Sequence, residues 1–275
     1  MVDNAESESS ARTWITKLSE FLNLAYATPH SATKVENIPN PQCKTCVVND
    51  FPLPTQSALL LLPTPFISSK PLYDLLSGFR TDLEFPGSDS RVGPVQSFPI
   101  KDELDLELYA SRVAGTVAEL CLELVFHHSS SRDKISPKDR QVMISAGGRM
   151  GIALQYVYIA RDVATDATLG RIYLPMSWLE EEGLSPQDVI KRPTGAGIER
   201  LRTRLLGKAF IVYEEARGAM AHLPPEARAP MRVAVESYME IGRVLSEKGY
   251  KTKAGKATVP KLRRIRVAWK ALKEG

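Results

Sequence analysis

Asp162 and Asp166 stand four residues apart near the end of an apolar run that opens at Met150, and Arg161 and Arg171 bracket them. On a helix, side chains four apart share a face, so both carboxylates would point to one side. Adjacent carboxylates repel unless a cation lies between them. Hard oxygen donors of this kind suit Mg²⁺, which commonly bridges protein carboxylates to substrate phosphates. The two guanidiniums could take further phosphate oxygens through their planar forks. The pattern therefore fits a metal-dependent diphosphate site, although Asp at i and i+4 also arises by chance on solvated helix faces.

The elements that would hold such a site read as helices. Apolar residues recur at helical spacing in Ser10 to Ala27 (Trp14, Leu18, Phe21, Leu22), Leu72 to Leu83, and Asp102 to His127 (Leu104, Leu108, Val113, Val117, Leu120, Leu124). Ser136-Pro137 signals the start of the helix carrying the aspartates, and Ser185-Pro186-Gln187-Asp188 signals another. Helical patterns follow at Gly197 to His222, Pro225 to Lys248 and Pro260 to Leu272. No strand alternation or internal repeat interrupts them, so the expected class is all-α, in one domain over residues 1–275. Eight prolines from Pro29 to Pro71 exclude long helices there, leaving one short helix at Thr55 to Leu62; residues 28–70 read as a surface insertion or a flap.

Several stretches together resemble the squalene and phytoene synthase family. Ala153, Leu154, Gln155, Ile159, Arg161, Asp162, Asp166, Gly170, Arg171, Tyr173, Leu174 and Pro175 are similar to its second aspartate-rich motif, most closely in the fungal phytoene synthase type. Tyr109 and Val113-Ala114-Gly115-Thr116-Val117 resemble a further family segment, as do Leu223-Pro224 with Arg228, and Tyr238, Ile241, Gly249 and Tyr250. Gly78 and Asp82 match a Gly and an Asp at family spacing; Asp82 is read as an anchor for a neighbouring Arg or Lys, without chemistry. Met1-Val2-Asp3 looks like the last three residues of the first aspartate-rich motif, whose leading aspartates would then lie before residue 1. The chain departs from the family pattern at Tyr158, where Asn is usual, and at Ala118, where a second Gly is usual.

The resemblance implies an isoprenoid synthase-type helical bundle around a central apolar cavity. It implies a prenyltransferase that condenses two geranylgeranyl diphosphates head to head, through prephytoene diphosphate, to phytoene, in carotenoid biosynthesis. Asp162, Asp166 and the remnant Asp3 would hold Mg²⁺ or Mn²⁺, and Arg161 and Arg171 would act with the aspartates on the diphosphate. Tyr109, Val113, Ala114, Val117, Gln155, Tyr173 and Tyr238 would contact substrate. Small residues such as Ala114 and Gly115 would equally let another helix approach closely. No glycine-rich dinucleotide fingerprint is present, so NADPH is not expected. The alternatives are a non-catalytic homologue that binds a prenyl diphosphate or a partner enzyme, a squalene synthase-like enzyme, or a terpene cyclase.

Composition narrows the partners. Hydrophobic residues at 43% and charged residues at 25% are ordinary for a folded domain. A net charge of +4, from 36 basic and 32 acidic residues, is too balanced to indicate nucleic-acid binding. The basic residues concentrated from Lys251 to Lys273 read first as a solvated terminal helix face and second as an attraction to anionic lipid or diphosphate. Cys43, Cys46 and Cys121 cannot complete a four-ligand zinc site and read as free thiols in a reducing compartment. Without a signal peptide or a long apolar run, the expected location is cytoplasmic or at a membrane periphery. The family resemblance further implies carotenoid-pathway enzymes, including a fused lycopene cyclase, as partners.

Overall fold

The computed structural model describes residues 3–27, 47–86, 98–130, 134–247 and 259–273. Cys43, Cys46, Gly249, Tyr250 and residues 28–46 of the Pro-rich stretch lie outside them. The described residues form α1 (Asp3–Tyr26), α2 (Leu53–Leu60), α3 (Ser69–Asp82), α4 (Glu103–Ala110), α5 (Thr116–His128), α6 (Pro137–Thr168), α7 (Met176–Glu181), α8 (Pro186–Lys191), α9 (Ala196–Arg217), α10 (Pro225–Leu245) and α11 (Lys261–Lys273), and no strand. The all-α expectation holds.

The long helix α6 is the axis of the bundle. Its start follows from Ser136, whose Oγ accepts the Asp139 N–H at 3.1 Å, with Pro137 in the first turn where no N–H is needed. At 32 residues it spans about 48 Å. Buried positions occur around much of its circumference, among them Gly148, Ile152, Ala153, Tyr156, Val157, Ile159, Ala160 and Val163. A helix apolar on so many sides must be enclosed by others. It packs most extensively on α9, then on α5, the Ser111–Gly115 turn and α10. Leu201, Leu205 and Ala209 of α9, Met239 of α10, Leu106 of α4 and Trp178 of α7 complete the main core.

Two smaller clusters flank it. Ile15, Phe21 and Leu22 of α1 pack with Leu76 of α3 and with Val47, Val48 and Phe51. Residues 47–51 of the Pro-rich stretch therefore carry core side chains, Val48 being 1% exposed. Leu122, Phe126, Met143 and Leu223 form the third cluster.

The segment read as one helix from Asp102 to His127 is helical throughout but not α-helical throughout. Ser111–Gly115 is a turn of π-helix joining α4 to α5. The wider turn rephases the side chains on either side of it, which a constant 3.6-residue period does not anticipate. Within it Ala114 and Gly115 meet Gly148 and Gly151 of α6. A Cβ on Gly151 would lie 2.5 Å from the Ala114 carbonyl oxygen and 2.8 Å from Gly115 Cα. The two backbones touch, so here the small residues serve helix packing. Ala114, expected also to contact substrate, has its carbonyl against α6 and is itself half-buried.

Candidate active site

One stripe of α6 lines two spaces in succession. Met143, Ala146, Gly147, Met150, Gly151 and Leu154 recur at helical spacing along one wall of an apolar cavity of about 150 Å³, closed by Ala118 and Leu122 of α5 and by Val235 and Tyr238 of α10. The same stripe continues as Gln155, Tyr158, Ile159, Asp162 and Asp166, which line an open polar cleft of about 210 Å³. Helical periodicity thus carries one face from hydrocarbon to carboxylate within a few turns. The boundary is a pair of phenols: Tyr158 Oη donates to Tyr238 Oη at 3.0 Å, with ring centroids 5.3 Å apart.

Charge in the cleft is unevenly distributed. Arg161 grips Asp162 with both arms of its fork, Nε to Oδ1 at 2.8 Å and Nη2 to Oδ2 at 2.5 Å. Its guanidinium also lies 4.3 Å from the centre of the Tyr158 ring. Asp166 has no such partner. Burial, then the neighbouring Asp162, push its carboxyl up to about 7, against the opposing pull of Arg171.

Arg171 reaches the site because α6 ends abruptly. The Gly170 N–H bonds to the Ala167 carbonyl at 3.1 Å and the Arg171 N–H to the Asp166 carbonyl at 2.9 Å, with Gly170 at φ +70°. This is the left-handed terminus for which glycine is favoured. It turns the chain back on itself, so Arg171 returns beside Asp166, and both line a tight pocket with Ile172 and Tyr173. The following residues bury Ile172 and Leu174. The Met176 N–H then bonds to the Ile100 carbonyl at 3.1 Å.

Below the cleft, Tyr109 and Tyr173 both donate to Oδ1 of Asp82 at 2.8 Å, with their rings stacked 5.0 Å apart. Burial, with Asp82 close by, raises both phenols far above the ordinary tyrosine value, so they stay protonated donors. Asp82, expected to anchor an Arg or Lys, accepts two phenols and acts on Arg171 through its charge, raising that guanidinium's pKa. The sequence signal was its match to the family spacing; its partners lie on α4 and after α6, far off in the chain.

The remaining expected residues divide. Tyr238 lines the apolar cavity, and Gln155 lines the polar cleft. Val113 lies against Gly78 of α3, its Cγ1 2.6 Å from where a Cβ would be. Val117 is 44% exposed and does not line the cavity, whereas its neighbour Ala118 does. Asp3 opens α1, and its side chain lies outside the described residues.

The donor set fits a hard divalent cation in one respect. Two carboxylates face one cleft, and burial together with the neighbouring Asp162 raises the pKa of Asp166, a shift that a bound cation would oppose. Among the described residues no group of three acidic, His or Cys side chains surrounds a single point. Mg²⁺ tolerates this, because it commonly keeps several waters and completes its shell with substrate phosphate.

Comparison with known proteins identifies the family and the fold. A squalene/phytoene synthase family description matches residues 1–267. A bifunctional lycopene cyclase/phytoene synthase of Pyrenophora tritici-repentis (strain Pt-1C-BFP) is 48% identical over 272 residues, covering 99% of this chain and 43% of that protein. One of the same description from Phaeosphaeria nodorum (strain SN15 / ATCC MYA-4574 / FGSC 10173) is 50% identical over 272 residues, with the same coverage. The chain therefore spans 43% of the length of these curated relatives. Among solved structures, a dehydrosqualene synthase superposes with a TM-score of 0.64 at 21% identity, covering 98% of this chain and 92% of the other. A squalene synthase from Alicyclobacillus acidocaldarius gives 0.57 at 16% identity, covering 88% and 86%. At those identities the structures establish the shared fold.

Proposed function

Because the chain belongs to the squalene/phytoene synthase family, we propose that it is a prenyltransferase of the phytoene synthase type, coupling two geranylgeranyl diphosphates head to head to give phytoene. The observation that carries this reading is the single α6 stripe that passes from an apolar cavity into a cleft holding Asp162 and Asp166. An allylic diphosphate has the same two-part character, a charged head on a long hydrocarbon tail. The kinship with fungal phytoene synthases at about half identity supports the choice of substrate and product.

In this reading Asp162 and Asp166 would hold Mg²⁺, or Mn²⁺, which supplies charge neutralisation to the departing diphosphate. Arg171 stands beside Asp166 and adds fixed positive charge on that side. Arg161 orients Asp162 through its two-pronged bond. The apolar walls keep water from the allylic cation, and the Tyr158–Tyr238 pair stands where the hydrocarbon must pass from cleft to cavity. A phenol at position 158, where the family usually has Asn, gives that passage an aromatic face to set against a cationic tail. No reductant is needed for phytoene, in keeping with the lack of a dinucleotide fingerprint.

Incubation with Mg²⁺ and geranylgeranyl diphosphate, followed by extraction and mass analysis, tests the proposal. Phytoene is the expected product, and Asp162→Asn and Asp166→Asn are expected to abolish it while leaving the far-ultraviolet circular dichroism unchanged. A cyclised product from one substrate molecule, or turnover only of farnesyl diphosphate with NADPH, would overturn it.

A further inference from the structure

The last helix, α11, carries no acidic residue, and its two sides face different environments. Arg263, Val267 and Ala271, four apart, point at the bundle, Ala271 being 2% exposed. That side is fixed by charge. Glu240 of α10 is 6% exposed and accepts from Arg263 and, at 2.9 Å, from Arg243, while Arg263 also bonds Glu247. The opposite side holds Leu262, Ile265, Trp269 and Leu272, which are 82%, 57%, 61% and 51% exposed. At about 100° per residue these four form one narrow stripe facing directly away from the core. Lys261 and Arg264 border it on one edge; Arg266, Lys270 and Lys273 border it on the other.

We propose that α11 lays this stripe on an anionic lipid surface. A helix that needed only to be solvated would not expose four large apolar side chains in register, since they add nothing to the core and favour association. The surroundings of the stripe choose the occupant. Both edges are basic and acid is absent, which complements a negatively charged surface. The stripe lies on a convex helix rather than in a groove, as suits a soft planar surface. Trp with Lys and Arg at the margins is the composition of interfacial helices, which lie in the headgroup plane with the apolar side down. Arg266 and Lys270 also line a cleft of about 680 Å³ between α9, α10 and α11, where basic side chains outnumber Glu236 and Glu240. A headgroup phosphate at that edge would meet positive charge. Among the described residues no helix is long and apolar enough to cross a membrane, so the contact proposed is along the surface. The inference rests on α11 alone and stands or falls separately from the proposed reaction.

Flotation of the whole chain with vesicles of phosphatidylcholine, with and without phosphatidylserine, tests it. Binding is expected to the anionic vesicles, to weaken with salt, and to bring a blue shift of tryptophan emission that is absent in Trp269→Phe. Ile265→Ser with Trp269→Ser should lower the partition coefficient at least tenfold with unchanged circular dichroism. Reversing Lys261, Arg264 and Lys273 to Glu leaves the stripe intact; at about fivefold per basic residue it should lower binding to the anionic vesicles by roughly a hundredfold. Absence of vesicle binding, or binding indifferent to both sets of substitutions, would overturn the inference. So would a concentration-dependent dimer without vesicle binding that Ile265→Ser with Trp269→Ser dissolves, because a second copy of the chain would then be what covers the stripe.

Discussion

Asp82 is the most informative residue to perturb, because one of its oxygens joins three separate parts of the chain. Its Oδ1 accepts from Tyr109 of α4 and from Tyr173, just beyond α6, each at 2.8 Å. The two tyrosines are 5% and 8% exposed, so neither hydroxyl has easy recourse to water. Asp82→Ala strands both donors, and a buried donor left unsatisfied costs about 1–3 kcal/mol, giving about 4 kcal/mol for the pair. For a domain of this size that corresponds to a fall in Tm of roughly 10 °C. Asp82→Asn keeps an acceptor in place and loses only charge assistance, about 1 kcal/mol. Tyr109→Phe with Tyr173→Phe removes both donors and should fall between the two. Urea unfolding followed by circular dichroism gives the three values. Turnover should drop in Asp82→Ala beyond the loss of stability, since Tyr173 lies two residues from Arg171 and holds that segment against α4. Asp82→Ala within 1 kcal/mol of wild type, or Asp82→Asn as damaging as Asp82→Ala, would refute the reasoning, because the phenols would then be shown to find other partners.

Gly151→Ala is expected to destabilise by about 1–3 kcal/mol or more, since the new Cβ meets backbone atoms of Ala114 and Gly115 that cannot rotate aside; thermal unfolding checks it. Asp166 has a folded-state pKa raised to about 7, so its contribution favours folding at low pH and is lost as pH rises through that value. Without divalent metal, wild type should lose stability between about pH 4 and pH 7 relative to Asp166→Asn and level off above that, read as a pH-dependent shift in the urea midpoint. Glu240→Ala removes the buried acceptor shared by Arg243 and Arg263, which keep Glu236 and Glu247 as partners, and should cost about 1–2 kcal/mol, with α11 released before the main bundle in hydrogen exchange.

Much of this was legible along the chain. Helices were readable because apolar residues recur every three to four positions. The start of α6 was readable because Ser136-Pro137 is a local capping signal, and the aspartate pair because i and i+4 share a face whatever surrounds them. The resemblance to a family added the meaning of that pair. What the sequence alone could not supply concerns contacts between residues distant in the chain. The partners of Asp82 come from positions 109 and 173, and nothing local to residue 82 announces a phenol. The turn of π-helix at Ser111–Gly115 shifts the register that the periodicity extrapolates, and beyond it Ala118, not Val117, lines the apolar cavity.

The same division applies to charge and to exposure. Composition fixes how many acids and bases there are, but only packing decides that Arg161 neutralises Asp162 while burial raises the pKa of Asp166. The basic run near the end of the chain was plain in the sequence, whereas the outward direction of Leu262, Ile265, Trp269 and Leu272 was not. Local propensity follows from backbone and side-chain sterics within a turn or two, so the sequence determined the elements and the spacing of the acidic pair. Desolvation, hydrogen-bond partnership and the direction an apolar stripe faces depend on which surfaces meet, and those the tertiary structure decided.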